Sequence, residues 1–263
     1  HMRAYKKAEE GNTFNSHNSL PYYSAKPKKP VRFFTEDLRA KGYYCTNNSK
    51  EDYNMMTSPL AWDESSDEAH WRNRENNQPF FSVFNFNVTH ESNIWKNETT
   101  YSAKELDNVQ IPTFLPENSK IKSDFITNYK NIEKLDEQIG VIINQLKEDD
   151  LYDNTIIFFF SDHGGPFPRY KRSIYETGLR VPMIAKWIND KNRGNNYQLV
   201  SFVDFAPTVL DAADLKREFP FEGISFFKKD NRSYVYAASD RFDEATDIRR
   251  SIRDDKFKLI YNG

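Results

Sequence analysis

Six consecutive β-branched or aromatic residues, Thr155-Ile156-Ile157-Phe158-Phe159-Phe160, run directly into Ser161-Asp162-His163-Gly164-Gly165. So short an apolar run, without alternation and closed by glycines, predicts a strand buried on both faces. Upstream, Ile126, Tyr129, Ile132, Leu135, Ile139, Ile142 and Leu146 recur in steps of three and four. That spacing predicts one apolar stripe along a helix over about 122–148. A loop with Asp149, Asp150 and Asn154 separates the two. Helix, tight loop, buried strand and glycine-rich exit make up the unit of an α/β fold, in which helices flank a mostly parallel sheet.

Other segments extend this pattern. Residues 1 to about 32, with Ala25-Lys26-Pro27-Lys28-Lys29-Pro30, read as an extended surface connection. Thr35 to Arg39 predicts a short helix stopped by Gly42, and Tyr43 to Thr46 a short strand. From Pro79, PFFSVFNFNVTH predicts a second strand buried on both faces, ending at Thr89-His90-Glu91. Val181 to Trp187 reads as a further strand, and Asp204 as the cap of a helix with Pro207 in its first turn. After Pro220 short strands at Tyr234–Ala238, Arg249–Arg253 and Phe257–Tyr261, the last two joined by Asp254-Asp255, suggest a small antiparallel unit.

Composition narrows the class. With 37 basic and 39 acidic residues the 263-residue chain has a net charge of −2, which argues against nucleic-acid binding driven by bulk charge. Only 38% of residues are hydrophobic, yet 15% are aromatic, which a disordered chain would lack. Mean hydropathy is −0.83, and no run approaches the roughly 20 apolar residues of a membrane span. One cysteine excludes an internal disulfide. The start His1-Met2 reads either as a tag scar or as a cut through a longer protein.

Ligands of open α/β sheets bind beyond the carboxyl ends of strands, so polar residues directly after apolar runs are the candidates. Asp162 and His163 can offer a carboxylate oxygen and an imidazole nitrogen to one divalent cation; the alternative is local capping and hydrogen bonding. His90 can act as oxyanion donor or general acid, although a lone histidine at a strand end is more often structural. Lys171 reaches the same crevice if the loop after Gly165 folds back, and Lys50 follows the short strand at 43–46. Cys45, between Tyr44 and Thr46 on an apolar segment, reads as a small buried thiol rather than a nucleophile. Asp149-Asp150 precedes its strand and so lies at the wrong sheet edge for a site, while His17 and His70 sit in polar loops.

Taken together, these segments resemble the sulfatase family of the alkaline phosphatase superfamily, nearest its bacterial heparan N-sulfatase and arylsulfatase branch. The resemblance is carried by Tyr129 to Gly165 with its Ser-Asp-His-Gly end, by Val88-Thr89-His90-Glu91, and by Gly42-Tyr43 through Lys50. Arg180-Val181-Pro182-Met183-Ile184 and Val203-Asp204-Phe205-Ala206-Pro207-Thr208 add to it, as do the texts AHWRNR and QPFFSVFNF. It implies an alkaline phosphatase-like core over 1–215 and the beginning of a C-terminal antiparallel subdomain over 216–263. Asp162 and His163 would then bind a divalent cation, usually calcium. Lys50, His90 and Lys171 would hold the sulfate oxygens and assist the leaving group.

The resemblance further implies hydrolysis of sulfate esters or sulfamates of sulfated glycans or aryl carriers, in a periplasmic or secreted setting. Sulfatases attack with a formylglycine made from a Cys/Ser-x-Pro/Ala-x-Arg motif, which this sequence lacks, together with the strand ending in paired aspartates. The chain therefore reads as a segment beginning after the nucleophile motif and inactive alone. A phosphodiesterase or phosphonate hydrolase of the same superfamily, and a non-catalytic binder of sulfated glycans, stand as alternatives. Oligomeric state is left open.

Overall fold

The computed structural model describes residues 26–28, 30–53, 55–96, 99–188, 193–215, 221–227, 232–242 and 245–263. Most of the expected extended connection over residues 1 to about 32 lies outside them, as do His17 and the residues 216–220 next to the expected domain boundary. In chain order the first elements are α1 (Phe34–Ala40), β1 (Tyr44–Asn48), β2 (Glu64–Ser65), β3 (Phe80–Phe84), α2 (Ser92–Lys96), α3 (Ala103–Asn108) and α4 (Ser119–Glu148). They are followed by β4 (Ile157–Phe160), α5 (Glu176–Leu179), β5 (Met183–Lys186), α6 (Phe205–Ala212), β6 (Val235–Phe242), β7 (Ala245–Arg253) and β8 (Lys258–Asn262). One compact unit comprises His1–Asn85, Tyr197–Ser239 and Ile252–Leu259; the other comprises Phe86–Asn196, Asp240–Ser251 and Ile260–Gly263.

In the first unit, α1 has Glu36 and Asp37 in its first turn, where the helix dipole favours acids, and ends before Gly42 at φ +87°. β1 is the middle strand of a parallel sheet in the order β2-β1-β3, with Cys45 opposite Phe81 and Thr46 opposite Ser82. The α1 and α6 faces meet this sheet through Leu38, Cys45 and Leu210, with Phe34, Trp62 and Phe81 packed around them. Burying a leucine in this way contributes about 1.5–3 kcal/mol.

Asp204 departs from the expected role of helix cap. Its carboxylate makes no capping bond to α6. It accepts instead from Ser201 N–H at 2.8 Å, from Ile224 N–H at 2.8 Å and from the Arg232 guanidinium, whose Nε lies 2.9 Å from Oδ2. The main-chain carbonyl of Asp204 accepts from Thr208 Oγ1 at 2.6 Å, and that hydroxyl in turn accepts from Phe226 N–H at 2.9 Å. The segment 221–227 is thereby tied to 201–208. Burial pushes the Asp204 carboxyl up, and the Arg232, Ile224 and Ser201 donors more than reverse this, so it lies below the usual carboxylate range.

In the second unit, the Asn118 side chain accepts from Ile121 N–H at 2.9 Å and starts the 30-residue α4. Of the expected apolar stripe, Ile126 and Leu146 are buried and Leu135, Ile139 and Ile142 half-buried, while Tyr129 and Ile132 are exposed and Phe125 and Asn131 are buried beside it. β4 pairs antiparallel with β5, Phe158 opposite Ala185. The expected burial on both faces is not found for β3 or β4, whose residues are half-buried and, at Phe160, exposed. Among the described residues β4 has a single strand neighbour, which leaves its last ring uncovered.

The last three strands form a sheet in the order β6-β7-β8. Bonds from Asp254 N–H to Phe257 O (3.0 Å) and from Gly263 N–H to Ile248 O (2.9 Å) lie on one antiparallel ladder, closed by the expected Asp254-Asp255 turn.

The Asp204 arrangement makes two measurable demands. Arg232→Met strands a carboxylate whose side chain is 2% exposed and is expected to cost about 3–5 kcal/mol in urea unfolding. Because the folded pKa is depressed, the stability from this pair is full above the unfolded value of about 4 and is lost as pH falls through the folded one. Arg232→Met should lack that part of the acid dependence.

Candidate functional site

The exit of β4 and the loop after it are shaped by two glycines. Gly164 N–H donates to Gly178 O at 2.9 Å, and a Cβ on Gly164 would lie 1.8 Å from the Thr177 carbonyl oxygen. A Cβ on Gly178 would come within 2.2 Å of Ser173 O and 2.4 Å of Tyr170 O. Only glycine permits this approach of backbone to backbone. Between them the chain doubles back, with Lys171 N–H donating to Gly165 O at 3.0 Å and Tyr170 N–H to Phe167 O at 3.1 Å.

Side chains fasten the loop to α4. Phe167 stacks on Phe125 with ring centroids 3.8 Å apart. The Arg169 guanidinium sits 5.0 Å from the centre of the Phe114 ring and 4.9 Å from that of Tyr175. Arg169 and Arg172 both hold left-handed backbone, at φ +69° and +67°, a conformation that costs an L side chain roughly 1–2 kcal/mol.

The loop brings Lys171 to His90. Lys171 Nζ lies 3.5 Å from His90 Nε2 and donates to Glu91 Oε1 at 3.1 Å. His90 is not at a strand end as expected. β3 stops at Phe84, and His90 sits in the turn before α2, where His90 N–H donates to Asn87 O at 3.0 Å. Asn87 also accepts from Asn93 Nδ2 at 2.8 Å. These asparagine-centred bonds compete with a strand ladder, and buried Ile94 anchors α2 behind the turn.

The His90 ring has a defined donor. Ser92 N–H donates to Nδ1 at 3.3 Å, and Ser92 Oγ lies 2.9 Å from the same nitrogen. A backbone N–H can only donate, so Nδ1 is the acceptor and the neutral ring carries its proton on Nε2. Nε2–H and the Lys171 ammonium are then both donors. Their nitrogens lie 3.5 Å apart, an arrangement suited to the oxygens of an anion.

Asp162 and His163 are also brought together, with Asp162 Oδ1 lying 3.6 Å from His163 Nε2. His163 Nδ1 is 2.8 Å from Gly164 O, a carbonyl that only accepts, so Nδ1 carries a proton. In the neutral ring the Nε2 lone pair therefore turns toward the carboxylate. A histidine braced by a backbone carbonyl is the usual support of a metal-ligating ring. The donor set therefore fits one side of a divalent-cation site. No cluster of three or more His, Cys, Asp or Glu occurs among the described residues.

Lys50 belongs to the other unit. It is exposed beyond β1, and its carbonyl accepts from the Nδ2 of buried Asn47 at 3.2 Å. Cys45 is fully buried, and burial, then Asp63, push its thiol up to about 12, so it is not a thiolate near neutral pH. His70 accepts from Arg72 N–H at 3.1 Å, an ordinary turn cap. Glu91 was not singled out in the sequence, although its adjacency to His90 places it beside the site.

Comparisons with known proteins find relatives over most of the chain. The family model described as Sulfatase matches residues 12–215. An ulvan-active sulfatase of Formosa agariphila is 43% identical over 95% of this chain and 49% of its own length. The N-sulphoglucosamine sulphohydrolase of Homo sapiens is 27% identical over 39% of this chain and 21% of its own. A solved structure described as a complex with its substrate D-glucosamine-2-N,6-O-disulfate superposes over 90% of this chain and 74% of its own, with TM-score 0.60 and 17% identity. This chain thus has the mixed α/β fold of alkaline phosphatase-like enzymes, and it spans about half the length of the Formosa relative.

The two glycines give the site a structural test. Gly164→Ala and Gly178→Ala should each destabilise the protein by about 1–3 kcal/mol through overpacking. Proteolysis within 165–178 should become faster, which limited digestion followed by mass spectrometry would measure.

Proposed function

Because this chain belongs to the sulfatase family, we propose that the protein carrying it hydrolyses sulfate esters or sulfamates of sulfated carbohydrates or aryl carriers. The approach of Lys171 Nζ to His90 Nε2, two donors 3.5 Å apart, carries this reading. A tetrahedral sulfate offers several oxygens to such a pair. Lys171 neutralises the charge on the non-bridging oxygens. His90 assists the leaving group by directing its Nε2–H as a hydrogen-bond donor at the charge that develops on the departing oxygen or nitrogen.

Asp162 and His163 are the residues that would hold a divalent cation, calcium in this reading; when bound it draws electron density from the sulfate oxygens. The attacking group is proposed to be the family's formylglycine. Cys45 does not supply it, being buried and followed by Thr46-Asn47-Asn48. A sulfated-sugar substrate is supported by the ulvan-active relative and by the disulfated glucosamine complex. Residues 1–215 would form the core and 216–263 the beginning of a second subdomain, in a periplasmic or secreted protein. Among the described residues no helix is long and apolar enough to cross a membrane.

In the full-length protein, Lys171→Ala is expected to lower kcat/KM for an aryl sulfate by about 10²–10³-fold with an unchanged melting temperature. Asp162→Ala should abolish the dependence on added calcium after chelation; full activity in that variant would remove the metal role. His90→Ala should lose about 10²–10³-fold on a sugar sulfate, whose alkoxide leaving group develops the larger charge, and far less on a nitrophenyl sulfate. Equal losses on both substrates would take the leaving-group role from His90. The isolated 263-residue chain is expected to turn over no aryl sulfate.

A further inference from the structure

Glu91 neighbours His90 in the chain, yet its carboxylate bonds residues 80 and 81 positions away. Oε1 accepts from Lys171 Nζ at 3.1 Å and from Arg172 Nη2 at 3.3 Å, while Oε2 accepts from Arg172 Nη1 at 3.3 Å. The guanidinium fork grips both oxygens and so fixes the plane of the carboxylate. That plane in turn fixes where the lysine ammonium sits. The side chains of Glu91 and Lys171 are 16% and 18% exposed, so the pair is partly shielded from water and salt. An ammonium on a four-carbon stem would otherwise sample many rotamers.

We infer that Glu91 is a positioning residue for Lys171, holding its ammonium beside His90 Nε2 so that both donors meet the same sulfate group. The inference rests on the sulfatase reading above. It also accounts for a negative charge next to a pocket meant for an anion. By charge alone Glu91 opposes sulfate binding, so its contribution is geometric. Burial pushes the Glu91 carboxyl up, but its bonds to Lys171 and Arg172 bring it below the usual range, which keeps the carboxylate ionised near neutral pH. The ammonium has three N–H donors and uses one on Glu91, so others remain for a sulfate oxygen.

The charge effect and the geometric effect have opposite signs, which makes them separable. In the full-length protein, Glu91→Gln should lower kcat for an aryl sulfate by about 10–100-fold, while KM and the inhibition constant of inorganic sulfate stay level or fall. Glu91→Asp, which keeps the charge, should recover part of kcat, and equal melting temperatures would show that the variants fold. A crystal structure of Glu91→Gln should show Lys171 Nζ displaced by about 1 Å or more from its place beside His90, the scale of misplacement that costs such a factor. Wild-type kcat in Glu91→Gln with Lys171 still beside His90 would overturn the inference and leave the sulfatase reading intact. If the wild type hydrolyses no sulfate ester, the reading itself fails. The crystal position of Lys171 in Glu91→Gln then decides the positioning role: an unmoved ammonium overturns it, and a displaced one supports it. Should Glu91→Gln not fold, the one-methylene-shorter Glu91→Asp carries the same test, with a severalfold loss of kcat expected and an unaltered kcat overturning the inference.

Discussion

The contact on which the site depends is between two pieces of main chain, at Gly164 and Gly178, where a Cβ on Gly164 would strike the Thr177 carbonyl and one on Gly178 the carbonyls of Ser173 and Tyr170. Their hydrogen bond pins the exit of β4 to the start of α5 and forces everything between to fold back. Asp162 and His163 lie just before this clasp and Lys171 lies inside it. The spacing of Asp162 and His163 from Lys171 is therefore set by backbone, with side-chain freedom confined to the last few bonds. Pre-set donors of this kind need little reorganisation when charge shifts onto an oxygen.

Two carboxylates perform comparable work in different settings. Asp204 is almost completely buried and satisfied by two backbone donors and an arginine, so its loss is a stability event. Glu91 is only partly shielded and its partners are a lysine and an arginine of a surface loop. Its loss moves a functional group and disturbs the fold much less. The difference follows from how much water reaches each pair, since solvent both weakens the attraction and rescues the orphaned charge.

The readable parts of the sequence were those governed by local periodicity. The helix α4, the strand β4 and the polar exit at Asp162-His163 follow from spacing and from β-branched and aromatic content, and each is found close to where it was expected. The strand expected to run on to His90 stops short because Asn87, which looks like a tolerable interruption of an apolar run, gives its carbonyl to a local turn, accepting from His90 N–H and Asn93 Nδ2. The buried face of α4 also takes in Phe125, drawn inward by Phe167, a partner 42 positions later that no helical period contains. Glu91 was missed for the same reason, because its partners come from a loop whose return path is dictated by glycine packing. Lys50 was singled out chiefly by its motif, and it stands in the unit that does not contain His90 and Lys171.

The bond from Ser92 N–H to His90 has a consequence on the opposite side of the ring. With Nδ1 accepting from a backbone donor at 3.3 Å, the direction in which Nε2 points is set by the main chain of the turn before α2. A substitution that reshaped this turn would therefore re-aim Nε2 without touching any residue near it.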